Sequence, residues 1–87
     1  MFDESKDRVI DSRIAVTGDK TRILAQICSY NGGPQKLQLK RENYARGEWG
    51  FAKLGRMEPG EFLDAVPVAL ELLERNGLMN VGVSHGE

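Results

Sequence analysis

Four short stretches of the chain alternate apolar and polar residues, which is the pattern of half-buried β-strands. They cover residues 8–17, 21–30, 35–41 and 49–57. The clearest alternation is in the third stretch, where Leu37 and Leu39 occupy one register. The strongest turn signal is the Asn-Gly-Gly-Pro segment 31–34, because Asn and Gly tolerate positive φ and Pro cannot donate to a strand ladder. A polar loop is predicted over residues 42–48. Four strands joined by short connections favour an antiparallel meander.

The other stretches predict which side chains share a sheet face. In the first stretch we expect one side to carry Ile10, Ile14 and Val16. In the second, one register contains Ile23, Ala25 and Ile27, and the other contains Arg22, Gln26 and Tyr30. In the fourth, Trp49, Phe51 and Lys53 alternate with Ala52, Leu54 and Arg56. A slip of one residue in this last strand would move Trp49 and Phe51 into the core.

A helix is predicted after the fourth strand. Pro59 suits its first turn, and acidic residues near that end favour the positive end of the helix dipole. Its apolar face follows from the helical spacing of Phe62, Val66, Ala69, Leu70 and Leu73. Arg75-Asn76-Gly77 is a stop signal. Pro67 should kink or split the helix, because it lacks a backbone donor. Residues 78–83 would either add a short strand or remain mobile.

These elements define an α+β domain. We expect a four-stranded antiparallel β-meander followed by one C-terminal helix packed on one sheet face, ββββα. The 87 residues suffice for a single domain, 1–87, with a core of about 8–76 and flexible or peripheral segments at 1–7 and 78–87. Because the helix covers only one face of the sheet, the other face is the candidate for function.

Charge is balanced over the whole chain but not along it. Twelve Lys and Arg against thirteen Asp and Glu give a net charge of −1, so bulk charge would not hold this protein to nucleic acid or membrane. Residues 35–56 carry six cations and two acids, whereas residues 57–87 carry one cation and six acids. The sequence therefore predicts a basic sheet surface and an acidic helix.

Several classes of protein are disfavoured by the residue inventory. One Cys and one His give no disulfide framework or zinc motif, and we expect no metal or other cofactor. Cys28 has no neighbouring His in sequence, His85 lies near the end of the chain, and the acids of the predicted helix fit a solvated face. We expect a protein that is not an enzyme and has no small-molecule substrate. No apolar run approaches the ~18 residues of a membrane span, so we expect a cytoplasmic protein, one that could associate with the nucleoid.

The uncovered sheet face combines cations, amides and aromatic rings. If Leu37 and Leu39 face the helix, and the registers of Ile23 and of Ala52 pack inward with them, the opposite face carries Lys36, Gln38, Lys40, Trp49, Phe51, Lys53, Arg22, Gln26 and Tyr30. Aromatic rings stack on unpaired bases while Lys and Arg contact phosphates, and a duplex hides its base faces. This composition favours a single-stranded nucleic acid. A solvated sheet would show the same Lys/Gln stripe, and Trp49 or Phe51 would also suit a core or a dimer contact.

Three segments carry a family resemblance: SYNGGP at 29–34, LQLKRENY at 37–44 and KLGRMEPGEF at 53–62. With the segment that precedes them, the chain over residues 8–75 resembles the bacterial branch of the positive-cofactor-four transcriptional coactivator family. The resemblance implies a ββββα fold, single-stranded DNA binding and dimerisation through helix and strand edges. Whirly proteins and purine-rich-element-binding repeats share this plan and ligand class.

The resemblance also implies site positions. The family's aromatic before the second hairpin corresponds to Tyr30, its third-strand basic positions to Lys36 and Lys40, and the aromatic that ends this strand to Tyr44. Its basic loop before the helix corresponds to Lys53 and Arg56. With Gln38, Trp49, Phe51 and Arg46 from the basic segment, these residues form the expected nucleic-acid site. The helix residues Phe62, Val66, Leu70 and Leu73 form the expected dimer interface.

The sequence therefore leads to two functional hypotheses. The first is a homodimer that binds single-stranded DNA, with RNA as the other candidate, with little sequence preference and a coactivator-like role in transcription or DNA maintenance. The alternative is a homodimeric protein-interaction module without nucleic-acid binding, built on the apolar helix. Neither hypothesis includes a membrane.

Overall fold

A computed structural model describes residues 4–79. A short 3₁₀ turn, Glu4–Lys6, precedes four strands and a helix. The strands are β1 (Asp7–Thr17), β2 (Thr21–Tyr30), β3 (Gln35–Ala45) and β4 (Glu48–Ala52), and the helix is α1 (Pro59–Arg75). All four strands pair antiparallel with their sequence neighbours in one open sheet. The predicted α+β, ββββα fold is confirmed.

The third hairpin differs from its prediction. β3 continues to Ala45, so most of the predicted loop 42–48 is strand, and β4 ends at Ala52 rather than at residue 57. The turn needs only two residues because Arg46 and Gly47 both adopt positive φ, 55° and 84°. Such a turn matches the twist of the flanking strands, and it places Tyr44 opposite Trp49.

β1 is irregular. Its pairing with β2 shifts between Val9 and Asp11 and again between Ile14 and Val16. Each shift inserts an extra residue, which moves the following side chains to the other face. Ile14 therefore pairs with Leu24, whereas Val16 pairs with the buried Ile23. The prediction that Ile10, Ile14 and Val16 share one side is wrong, since strict alternation ignores these bulges.

The core lies between the sheet and α1. Ala25 and Ile27 of β2 and Leu72 of α1 are fully buried. Partly buried neighbours complete the cluster: Leu39, Val68, Ala69, Leu73 and Leu78. The helix packs chiefly on β1 and β2. Consequently the helix side of β3 and β4 is less covered than that of the first two strands.

Ion pairs fasten α1 to the sheet at both ends. Near its C-terminal end the Arg75 guanidinium donates to both carboxylate oxygens of Asp11 at 2.8 and 2.9 Å, and Arg13 pairs with Glu71. At the N-terminal end Arg41 of β3 donates two hydrogen bonds to Glu61, at 2.9 and 3.1 Å. These contacts fix the orientation of the helix across the sheet.

The helix runs unbroken from Pro59 to Arg75, so of the predicted kink or split at Pro67 the split is wrong. Pro67 is exposed, and the buried residues Ala65 and Leu72 anchor the helix on either side of it. Packing of both halves onto one sheet compensates for a single missing donor. The predicted stop is confirmed, because the Asn76 N–H bonds back to Leu72 and Leu73.

The segment 78–83 was predicted to be either a short strand or mobile, and its residues 80–83 lie outside the described part of the chain, as do residues 1–3 and 84–87. Leu78 itself packs against the core. Within residues 4–79, no helix has the length and apolar character needed to cross a membrane.

Candidate nucleic-acid interface

The sheet face opposite α1, called here the open face, is defined by the pairing of β2, β3 and β4. Because Ala25, Ile27 and Leu39 face the helix, their alternate neighbours face away from it. Cross-strand rows on this face join Cys28 to Lys36, Gln26 to Gln38, Arg22 to Glu42 and Phe51, and Tyr44 to Trp49. The predicted registers of β2, β3 and β4 match these rows.

Two shallow clefts border the open face, with volumes of about 380 and 430 Å³. The first lies where β4 ends and also includes Leu39, Arg41 and Ala52 of the helix-facing register. Both include Asp7 and Gln38 in their lining, so they adjoin each other, and together they are called here the open-face groove. Its lining includes six of the ten predicted nucleic-acid residues: Tyr30, Lys36, Gln38, Lys40, Phe51 and Lys53. The fold thus brings together side chains that are up to 23 positions apart in sequence.

The aromatic side chains differ in how much ring they offer to a ligand. Phe51 is 81% exposed. Trp49 is half-buried, because the Arg22 guanidinium lies 4.3 Å from its ring centroid and Tyr44 packs edge-on at 5.3 Å. Tyr30 is half-buried and lines one end of the groove. Phe51 is therefore the most accessible stacking surface of this face.

The cations on the open face and in the loops beside it form two groups. Lys36, Arg46, Lys53 and Arg56 are exposed, and none forms an ion pair with another residue in the described range 4–79. Lys36 and Lys53 line the groove, whereas Arg46 lies in the β3–β4 turn and Arg56 in the connection to α1. The second group is Arg22 and Lys40, which both pair with Glu42.

The predicted site did not include several open-face residues, among them the ionisable Asp7, Arg22, Cys28 and Glu42. Hydrogen bonding from Arg22 holds the pKa of the Glu42 carboxyl below its usual value, so this acid is ionised near neutral pH. Burial raises the pKa of the Cys28 thiol, with the nearby Asp7 carboxylate adding to the effect. Continuing the period-two pattern of β3 beyond residue 41 would have placed Glu42 beside Lys40.

The amides of the open face bond to each other. Gln38 Nε2 donates to Gln26 Oε1 at 2.8 Å, and Gln26 Nε2 donates to Ser12 Oγ at 3.3 Å. This chain of hydrogen bonds crosses three strands. Each amide nitrogen uses one of its two N–H donors in this chain, so the bonds orient Gln26 and Gln38 along the sheet.

A second surface lies on the helix side. An apolar groove of about 240 Å³ runs between α1 and β3, and it is called here the helix groove. Its lining contains the four predicted dimer residues, Phe62, Val66, Leu70 and Leu73, together with Leu37, Leu39, Ala65 and Ala69. Phe62 is 54% and Leu70 47% exposed, so part of this surface has no cover in the single chain.

Comparison with family models, curated proteins and solved structures finds no match for this chain. No group of three or more His, Cys, Asp or Glu in residues 4–79 could hold a metal ion. The fold and the two surfaces define an α+β domain with a polar, aromatic groove on one face and an apolar groove on the other.

Proposed function

We propose that this protein binds single-stranded nucleic acid on the open face, with single-stranded DNA as the main ligand and RNA as the other candidate. The observation that carries the proposal is the open-face groove, in which the exposed Phe51 ring lies among cations. Stacking on an exposed ring is available to every base, and Lys36 and Lys53 are free to contact phosphates.

The geometry favours unpaired strands over a duplex. The groove is shallow and its main aromatic ring is open to solvent, so a base must present its flat face to bind. Bases in a duplex have no free face. Stacking on an exposed ring is open to every base and phosphate contacts carry no sequence information, which supports binding with little sequence preference.

The biological setting belongs to the same proposal. We infer a coactivator-like role in transcription or DNA maintenance in the bacterial cytoplasm, in line with the resemblance described above. A homodimer formed through the helix groove would leave both open faces accessible, because the two surfaces lie on opposite sides of the sheet.

The test is a titration of the protein with oligo-dT at two salt concentrations, followed by the intrinsic fluorescence of Trp49. We expect saturable quenching that weakens as salt rises, by about 0.7 log units per phosphate contact per log unit of salt. Absence of binding at tens of micromolar protein and low salt would refute the proposal.

Two single variants identify the face that binds. Lys36→Ala removes an unpaired cation from the open face, and Arg8→Ala removes one from the opposite side of the same sheet, since Arg8 pairs with Ser29 in the helix-facing register. We expect Lys36→Ala to flatten the dependence of affinity on salt by the amount that about one phosphate contact contributes. Arg8→Ala should leave this dependence unchanged. Equal effects of the two variants would mean that the wrong face was chosen.

The helix groove favours a second candidate function, a homodimeric protein-interaction module. Its lining is apolar throughout, and exposed apolar surfaces of this kind mark contacts with other proteins. A dimer without affinity for oligo-dT or oligo-U would favour this candidate over nucleic-acid binding.

A further inference from the structure

The open face contains one acid bound between two cations. The Arg22 guanidinium contacts Glu42 Oε1 through Nε at 2.8 Å and Nη2 at 2.6 Å. Lys40 Nζ lies 3.5 Å from the other carboxylate oxygen, Oε2. The side chains are mostly shielded, with 23%, 31% and 14% exposed for Arg22, Lys40 and Glu42. Glu42 thus occupies the position between two donors that an anionic group of a ligand would occupy.

The same three residues lie beside the main stacking surface. Arg22, Glu42 and Phe51 form one cross-strand row, so Glu42 separates the guanidinium from the exposed ring. Side chains directly opposite on neighbouring strands are about 5 Å apart. A base stacked on Phe51 would therefore bring its own phosphate close to the Glu42 carboxylate.

We infer that Arg22 and Lys40 form a phosphate subsite next to Phe51, and that the Glu42 carboxylate fills this subsite in the free protein and competes with the phosphate of a single strand. This inference rests on the proposed function and adds a determinant of affinity to the same site. A carboxylate and a phosphate share the geometry that Arg recognises. Binding at this subsite exchanges one internal anion for one from the ligand.

The exchange predicts how salt affects binding. Arg22, Lys40 and Glu42 together carry a net charge of +1, so the subsite attracts fewer counterions than two free cations would. Removing the acid raises this local charge to +2. Since the salt dependence of binding reflects released counterions, a variant without the acid should show a steeper salt slope.

The first test compares Glu42→Gln with Glu74→Gln, using anisotropy of a labelled oligo-dT over a range of salt. Both variants change the net charge equally, but Glu74 is an exposed residue of α1. We expect Glu42→Gln to bind about 3- to 10-fold more tightly at low salt, because it no longer repels the phosphate. The slope of its log affinity against log salt concentration should be steeper than that of the wild-type protein by about 0.7. Glu74→Gln should behave like the wild-type protein.

The second test uses the unaltered protein, which avoids any effect of a variant on folding. The carboxyl carbon of Glu42 is titrated by NMR in the free protein and with saturating oligo-dT. Displacement from Arg22 and Lys40 by a phosphate should raise the pKa of Glu42 in the complex above that in the free protein.

The outcomes separate this inference from the proposed function. Wild-type binding with no gain in Glu42→Gln, or with an unchanged Glu42 pKa in the complex, would overturn the competition by Glu42 and leave single-strand binding intact. Failure of both the wild-type protein and Glu42→Gln to bind oligo-dT would overturn both.

Discussion

Phe51 and Trp49 lie two residues apart on β4 and face the same side of the sheet, but they differ in what surrounds them. Trp49 lies under the Arg22 guanidinium and against the edge of Tyr44, so its ring contributes to the packing of the open face. Phe51 has no comparable cover. At the scale of single residues, neighbours decide which aromatic ring is available for stacking.

Replacing Phe51 tests this difference directly. We expect Phe51→Ala to weaken oligo-dT binding by about 1–3 kcal/mol, since one stacked base is lost. The melting temperature should stay close to the wild-type value, because the side chain is largely exposed. Phe51→Leu is the matched control, as it keeps an apolar side chain but removes the ring. Wild-type affinity in both variants, measured by anisotropy of a labelled oligonucleotide, would exclude Phe51 as a stacking surface.

At the scale of elements, one acid connects β3 to the start of α1. Glu61 accepts two hydrogen bonds from Arg41 and a third, at 3.0 Å, from the backbone N–H of Glu58. Glu61 therefore has two roles: it caps the helix and it connects the helix to the sheet. Hydrogen bonding from Arg41 holds the pKa of Glu61 below its ordinary value of 4.5, and Glu61 raises the pKa of Arg41 in return.

This contact predicts a loss of stability in acid. The folded protein binds a proton at Glu61 less readily than the unfolded chain does, so the contribution is complete well above pH 4.5 and is lost as the pH falls through that value toward the lower folded pKa. Glu42 and Asp11 also have lowered pKa values, because Arg22 bonds to the first, and Asn76 and then Arg75 bond to the second. Urea unfolding at several pH values should show stability falling below about pH 5.

Replacing either member of the Arg41–Glu61 pair tests how much of the acid dependence of stability comes from Glu61. Glu61→Gln should lower the free energy of unfolding at neutral pH by about 1–2 kcal/mol and flatten the acid dependence. Arg41→Met leaves Glu61 in place but removes its partner, and it should flatten the acid dependence as well. An acid profile in both variants as steep as that of the wild-type protein would contradict the assignment.

At the scale of the whole molecule, two opposite faces carry different chemistry. The described core is small, with Ile23, Ala25, Ile27, Ala65 and Leu72 as its buried apolar residues. The helix groove continues this apolar surface outward beside β3. A chain of this size gains stability by burying such a surface against a second copy, as the proposed homodimer would do.

The dimer prediction has a matched pair of variants. Leu70 in the helix groove and Ile14 on the open face are 47% and 49% exposed. We expect the wild-type protein to sediment at twice its 9.7 kDa chain mass, Leu70→Glu to sediment as a monomer and Ile14→Glu to remain a dimer. The reason is that a charge in an apolar interface loses its hydration without gaining a partner. A 9.7 kDa wild-type species at high concentration would contradict the dimer.

Local pattern predicted most of the fold. The alternation of β2 and of Gln35–Arg41, the turn at 31–34 and the apolar spacing of α1 are properties of neighbouring residues, so they could be read along the chain. The bulges of β1 and the continuity of α1 through Pro67 could not. Both depend on how an element packs against others, which sequence spacing does not record.

For the candidate site, the sequence by itself determined the composition of each face. Period two separates Lys36, Gln38 and Lys40 from Leu37 and Leu39 in any antiparallel sheet with this helix. Only the tertiary structure decided which charges and rings remain free. It joined Glu42 to Arg22 and Lys40, covered Trp49 and left Phe51 exposed. The contact between Arg22 and Glu42 joins two strands at residues 20 apart in sequence. A side chain's partner at that separation is set by strand register and not by local spacing.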